Sequence, residues 1–176
     1  GLDSVSGDDR AGAHLAVEHL MSLGHERIAH ISGGDNRIAR LRQRGYEEAM
    51  TSRGLPATVI EGAFSESGGY AGAQLAIDAG ATALFVANDL AAIGALAALR
   101  DRGLGVPDDV SLVGYDGMRL LESLDLTTVA QPLADMGRMA ADLLMERIDV
   151  PDQPSRHRQV ETRLVARGSS GHPVTA

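Results

Sequence analysis

The sequence predicts an α/β protein built on a doubly wound parallel sheet, and two observations lead there. Short β-branched or apolar runs alternate with helical patterns of ten or more residues along most of the chain. Strands spaced by helices of that length form a parallel sheet covered on both faces, with right-handed crossovers. Size agrees as well: 176 residues, 44% hydrophobic and 23% charged, suffice for a core in one domain or in two small lobes sharing a chain.

Each element can be justified in turn. Asp8 or Asp9 caps a first helix that carries Leu15, Leu20 and Leu23 on one face and stops at Gly24. The run 27–32 is a strand leading into Gly33-Gly34, and a helix follows from about Asn36 to Arg53 with Ile38, Leu41, Ala49 and Met50. Residues 58–63 read as a second strand, 67–79 as an Ala-rich helix and 82–87 as a buried strand. Asn88 caps the helix that ends at Arg102-Gly103, and 110–115 is the fourth strand. A loop at 121–125, a short strand at 127–130, a helix from about Leu133 to Ile148 and a last strand near 159–166 complete the series. Pro151 and Pro154 mark a polar link at 150–158.

Composition removes several function classes. The net charge of −8 repels a phosphate backbone, so these residues are not expected to bind nucleic acid by themselves. All sixteen basic residues are Arg, which excludes a P-loop lysine, a Schiff-base lysine and a lysine general base. With no Cys there is no disulfide, thiol nucleophile or Cys-based metal site, a count that fits a reducing, cytoplasmic compartment. No apolar run approaches the ~18 residues of a membrane span, and no basic segment leads an apolar one at the N-terminus. His14, His19, His25 and His30 are spaced by five, six and five, not by the three or four of a helical metal pair. No G-x-G-x-x-G follows Gly33-Gly34, and there is no G-x-S-x-G elbow. The expectation is a binding protein and not an enzyme, with neither cofactor nor metal.

In an open parallel sheet, ligands bind beyond the carboxyl ends of the strands. The residues there are Gly33 to Arg42, Phe64, Asn88 with Asp89, and Asp116. Arg, Asn, Asp and one aromatic suit a small polyhydroxylated ligand: carboxylate and amide groups pair with hydroxyls, Arg offers a rigid donor fork, and a ring covers an apolar face. Taken singly, each has a structural reading. Asn88 and Asp8 can be helix caps, Asp116 a turn residue, Arg42 part of a solvated face with Arg37, Arg40 and Arg44, and Phe64 core. Their shared position along one sheet edge favours a site.

Several stretches then resemble one family. Residues 86–95, VANDLAAIGA, and 106–116, VPDDVSLVGYD, are similar to strand-to-helix and strand motifs of the LacI/GalR regulators. So are 126–132 (LTTVAQP), Met136-Gly137, 164–169 (LVARGS) and, upstream, Asp8, Gly12, His19-Leu20 and 23–29 (LGHERIA). The resemblance runs from about Asp3 to Ser169 and implies a two-lobed, periplasmic-binding-protein-like effector domain of type I. It implies a partial N-terminal lobe at 1–24 and 126–150, a complete C-terminal lobe at 25–125 and 158–169, and a flexible tail at 170–176. It also implies a chain that begins partway into a longer protein, without the DNA-binding headpiece of the family. Carried over residue by residue, the effector contacts map to Asp8, Arg42, Phe64, Asn88 and Asp116, and the implied partners are a sugar-like effector and a second copy of the chain, with operator DNA reached only through a headpiece. Leu75 and Leu96–Leu99 are candidate dimer contacts. Where many relatives carry a second acidic residue after Tyr115-Asp116, this chain has Gly117, which bears on which effector fits. A free-standing, periplasmic-type sugar receptor is the alternative.

Overall fold

A computed structural model describes residues 1–174, the side chain of Leu120 excepted. The elements are β1 (Ser4–Gly7), α1 (Asp9–Ser22), β2 (Ile28–Ile31), α2 (Arg37–Ser52), β3 (Thr58–Ile60), α3 (Glu66–Asp78), β4 (Ala83–Val86), α4 (Asp89–Asp101), β5 (Ser111–Asp116), a 3-10 helix (Arg119–Leu124), β6 (Thr127–Ala130), α5 (Leu133–Asp149), β7 (His157–Val160) and β8 (Arg163–Val165). The main sheet has the order β3-β2-β4-β5-β6-β8, with β8 antiparallel at its edge and every other pairing parallel. β1 and β7 form a separate parallel pair. Because β3 lies on one side of β2 and β4 on the other, the strand order reverses between β2 and β4. That reversal opens a crevice beyond their carboxyl ends.

The helices start where the sequence places caps. Asp8, Asn36, Ser65 and Asn88 each accept a hydrogen bond from the backbone N–H three residues on, satisfying one of the free donors of the first turn. Strand residues alternate between two cores. Ile28, Ala83, Phe85, Val113, Tyr115 and Val129 pack under α1 and α2, while Ala29, Ile31, Leu84, Val86, Leu112 and Leu126 pack under α3 and α4. Burial on both faces makes these strands near-continuous apolar runs, which is why they were legible. On the α3/α4 side, small residues bring the helices close. A Cβ at Gly94 would run into the Glu66 carbonyl, and one at Gly69 into the Ala91 carbonyl.

Strand pairing revises the expected division into lobes. β6 hydrogen-bonds to β5 inside the six-stranded sheet, and α1 packs its buried face on the same sheet, so neither belongs to a separate N-terminal lobe. β1, β7 and α5 form the smaller unit. The single strand expected at 159–166 is two strands, because the chain crosses between sheets at Glu161-Thr162. β1 carries one apolar residue in four and gives no periodicity to read. Of the expected loose tail at 170–176, residues 175 and 176 lie outside the described residues, while Ser170, Gly171 and His172 are tied down. The Gly171 carbonyl accepts from His25 Nε2 at 3.0 Å, its N–H donates to Ser111 Oγ at 3.0 Å, and His172 Nδ1 donates to the Leu23 carbonyl at 2.9 Å. Among the described residues no helix is long and apolar enough to cross a membrane.

His30 is fully buried in the α1/α2 core, stacked on Phe85 with centroids 4.7 Å apart; its Nδ1 donates to the Phe85 carbonyl at 3.0 Å. Nε2 has no partner, and burial pushes the imidazole down to about 4. An unfolded histidine titrates near 6.5, so between those values the unfolded chain holds a proton that the folded one lacks. The stability from His30 is therefore complete above pH 6.5 and falls, by roughly 3 kcal/mol, as the pH drops to 4. Urea denaturation at the two ends of that range should reveal a smaller acid loss in His30→Leu than in the wild type. Independently, Gly94→Ala should lower stability by about 1–3 kcal/mol in the same assay, because the added methyl forces α3 and α4 apart.

Candidate functional site

The site is built around Arg42. α2 buries Ala39, Arg42, Gly45, Tyr46, Ala49 and Met50, positions spaced three and four apart on one helical stripe. Arg42 falls on that stripe and is 3% exposed, whereas Arg37, Arg40 and Arg44 point to solvent. The solvated-face reading of Arg42 is thereby corrected. Its stem carries the guanidinium to the crevice where the strand order reverses. There Nε and Nη2 each lie 2.9 Å from Asp9 Oδ1, Nη1 donates to the Ala87 carbonyl at the end of β4, and Nη2 donates to Asp116 Oδ1 at 3.2 Å. The Tyr115 ring lies beneath the guanidinium, 3.5 Å from Cζ to its centroid, and the Phe64 centroid is 5.6 Å away. Five N–H groups are available and four are engaged, leaving one on Nη1.

Asp116 ends β5. Its Oδ1 also accepts from Gln131 Nε2 at 3.0 Å, and Gln131 N–H donates to the Asp116 carbonyl at 3.1 Å. Burial raises its carboxyl above the usual range, against the pull of Arg42 and the Gln131 hydrogen bond. Its backbone has φ 111°, a region that residues with a side chain rarely adopt. Phe64 follows β3, half-buried, with its ring lying over Gly33, where a Cβ would meet the ring edge. Asn88 caps α4 through Oδ1, 2.9 Å from Ala91 N, so the cap does not consume its amide Nδ2.

Asp8 stands at the junction between the two sheets. Its carboxylate caps α1, its N–H donates to the Val160 carbonyl of β7, and its carbonyl accepts from Tyr115 Oη at 3.3 Å. The structure thus joins Arg42 and Asp116 directly, brings Phe64 beside them, and sets Asn88 next to Ala87, whose carbonyl holds Arg42. Asp8 enters through its backbone. The carboxylate that meets Arg42 is the neighbouring Asp9. A groove of about 1040 Å³ opens alongside, lined by Asp8, Asp9, His14, Arg37, Leu41 and Gln159 among others.

Three further residues belong to this network and were not singled out as site residues from the sequence: Asp9, Tyr115 and Gln131; Asp89, which the strand-end rule marks beside Asn88, belongs to it as well. Gln131 follows β6 and obeys the same strand-end rule as the others, but assigning β6 to another lobe hid it. Asp9 and Asp89 each sit beside a capping residue, and spacing does not tell which of two adjacent residues turns inward. Tyr115 needed the strand alternation carried one residue further. Among the described residues no three His, Asp or Glu side chains gather to hold a metal.

The arrangement offers hydrogen-bond donors, acceptors and an aromatic face to a bound molecule. The sequence matches the periplasmic binding protein-like domain family over residues 17–170. It is 40% identical over 150 residues to the HTH-type transcriptional repressor PurR of Haemophilus influenzae (strain PittEE), covering 81% of this chain and 45% of that protein. The chain thus spans about half the length of the curated relatives it matches. Among solved structures, a LacI family transcriptional regulator from Enterococcus faecium with bound ribose superposes with a TM-score of 0.91 at 32% identity, over 98% of this chain and 66% of that one. A transcriptional regulator CelR–cellobiose complex superposes with a TM-score of 0.89 at 35% identity, over 96% of this chain and 54% of that one. A shared fold, a family match over most of the chain and relatives of this similarity lead to one assignment: the chain belongs to the LacI/GalR family of transcriptional regulators, as a periplasmic-binding-protein-like effector domain.

Proposed function

We propose that the rim carrying Arg42, Phe64, Asn88 and Asp116, with Asp8 at its edge, binds a neutral polyhydroxylated small molecule and that this binding is the effector signal of a transcriptional regulator. The observation that carries the reading is the immobilised Arg42 guanidinium, held in one plane at the sheet's switch point beside an acceptor and an aromatic ring. A hydroxyl can donate to Asp116 while accepting from Arg42 or from the Asn88 amide, and Phe64 can cover an apolar sugar face. Asp9 and Asp116 set two carboxylates against one guanidinium, so the cluster carries excess negative charge and opposes a phosphate or carboxylate ligand. The ribose and cellobiose held by two structural relatives support a sugar-like effector.

An effector acts here by binding one lobe orientation more tightly than another, so its differential affinity sets the response. The further partners are a second copy of the chain and operator DNA. With a net charge of −8, the DNA contact belongs to a part of the protein outside these residues. A free-standing receptor has less support, because the relatives named above are regulators.

Thermal shift of the full-length protein against ribose, cellobiose, other neutral sugars, nucleobases and sugar phosphates tests the reading. A bound sugar at a hundredfold excess over its Kd should add about 2.7 kcal/mol of stability. Asp116→Ala and Arg42→Lys should both abolish that gain, the latter because an ammonium cannot address Asp9, Ala87 and Asp116 from one plane. Sugar phosphates should stabilise less than their parent sugars. An unchanged response in both variants, or a preference for the phosphates, overturns the proposal.

A further inference from the structure

We infer that Asp89, which forms no part of the rim, is the positioning residue that sets Asp116 in its ligand-facing conformation. The inference rests on the proposed function, since the role of Asp116 in effector binding is part of it. Asp89 is the first residue of α4 and is 1% exposed, a buried carboxylate that Arg42 does not pair. Its hydrogen bonds instead fasten the chain on either side of the site. Oδ2 accepts from Met118 N–H at 2.8 Å, and Oδ1 accepts from Thr128 Oγ1 at 2.6 Å. Met118 and Gly117 are the turn that follows Asp116, and Thr128 is on β6, three residues before Gln131.

The space for this anchor is written into the strands. A Cβ at Gly114 would stand 2.5 Å from Asp89 Oδ1, so a glycine in the middle of β5 admits the carboxylate between the sheet and α4. Gly117 has φ 71°, and a Cβ there would collide with Ala130. With Met118 N–H fixed by Asp89 and its own carbonyl by Gln131 N–H, Asp116 and the turn after it are held from two sides. That restraint accounts for a non-glycine residue staying at φ 111° with Oδ1 turned toward Arg42 and Gln131. Burial raises the Asp89 carboxyl above the usual range, against the pull of the hydrogen bonds from Thr128 and Met118.

The test uses the full-length protein with Asp89→Ala, the near-isosteric Thr128→Val, Asp89→Asn, Asp116→Ala and the double variant Asp89→Ala/Asp116→Ala. Crystal structures of the unliganded variants read the placement of Asp116, and calorimetric titration with ribose and cellobiose reads the coupling. In Asp89→Ala and Thr128→Val, Asp116 should leave positive φ and lose its contacts with Arg42 and Gln131, with sugar affinity falling roughly tenfold. The double variant should bind no more weakly than Asp116→Ala alone. Asp89→Asn should restore both placement and affinity, because its Oδ1 can accept from Met118 N–H while Nδ2 donates to Thr128 Oγ1. If Asp89→Ala does not fold, Thr128→Val decides. Asp116 keeping its φ and both partners in these variants overturns the inference, as do losses that add in the double variant. If Asp116→Ala loses binding while Asp89→Ala and Thr128→Val keep it, the proposed function stands and the role of Asp89 falls alone. If Asp116→Ala binds the sugars like the wild type, the inference falls, and the proposed function falls with it when Arg42→Lys is unchanged as well.

Discussion

The structure turns on one buried cation. Placing a guanidinium 3% exposed at the end of a parallel sheet is unfavourable unless its donors are met, and Asp9, the Ala87 carbonyl and Asp116 meet them. Each partner comes from a different element: the start of α1, the end of β4 and the end of β5. Removing any one of them would leave a buried charge under-paired, so the elements are bound to one geometry at the point where strand order reverses. The apolar layers on either face could tolerate many repackings; this pairing fixes which one places the rim.

The same requirement explains why strand ends carry so much of the polar chemistry. Most interior strand residues are committed to the two apolar cores, and apart from a few buried exceptions such as His30, Ser111 and Thr128 the polar side chains gather where the chain leaves the sheet. Asn88 and Ser65 then satisfy helix starts, and Asp116 turns back toward Arg42. One structural device, the β–α junction, supplies both the caps and the rim, and a residue such as Asn88 serves the cap with its oxygen while its nitrogen stays outside that bond.

How far the sequence carried depended on how locally each feature is encoded. Helix starts at Asp8, Asn36 and Asn88 were legible because capping is settled within three residues, and β2, β4 and β5 because burial on both faces leaves unbroken apolar runs. Sheet membership is not local: β6 reads as a strand from its β-branched residues, but only its partner, β5, says which sheet it joins. β1 and β7 lack apolar content and gained their identity from each other. At the site, the strand-end rule found Arg42, Phe64, Asn88 with Asp89, and Asp116, while the supports Asp9, Tyr115 and Gln131 stayed hidden. A support is defined by what it touches across the fold, and spacing along the chain holds no record of that.

The supports also bear on how a small ligand could influence the arrangement of the two sheets. Tyr115 lies under Arg42 and donates from its hydroxyl to the Asp8 carbonyl, and Asp8 N–H donates to Val160 of β7. A path of direct contacts therefore runs from the guanidinium through the aromatic ring to the smaller sheet. Such a path has consequences only where it has two arrangements of similar free energy, since a ligand shifts an equilibrium by its differential affinity alone. The hydroxyl-to-carbonyl bond at 3.3 Å is longer than the usual O–H···O range and therefore weak, whereas Arg42 is held by four closer or charge-assisted contacts. The strengths along this path differ: the clamp holds the rim with charge-assisted bonds, and the contact that reaches Asp8 is its weakest link.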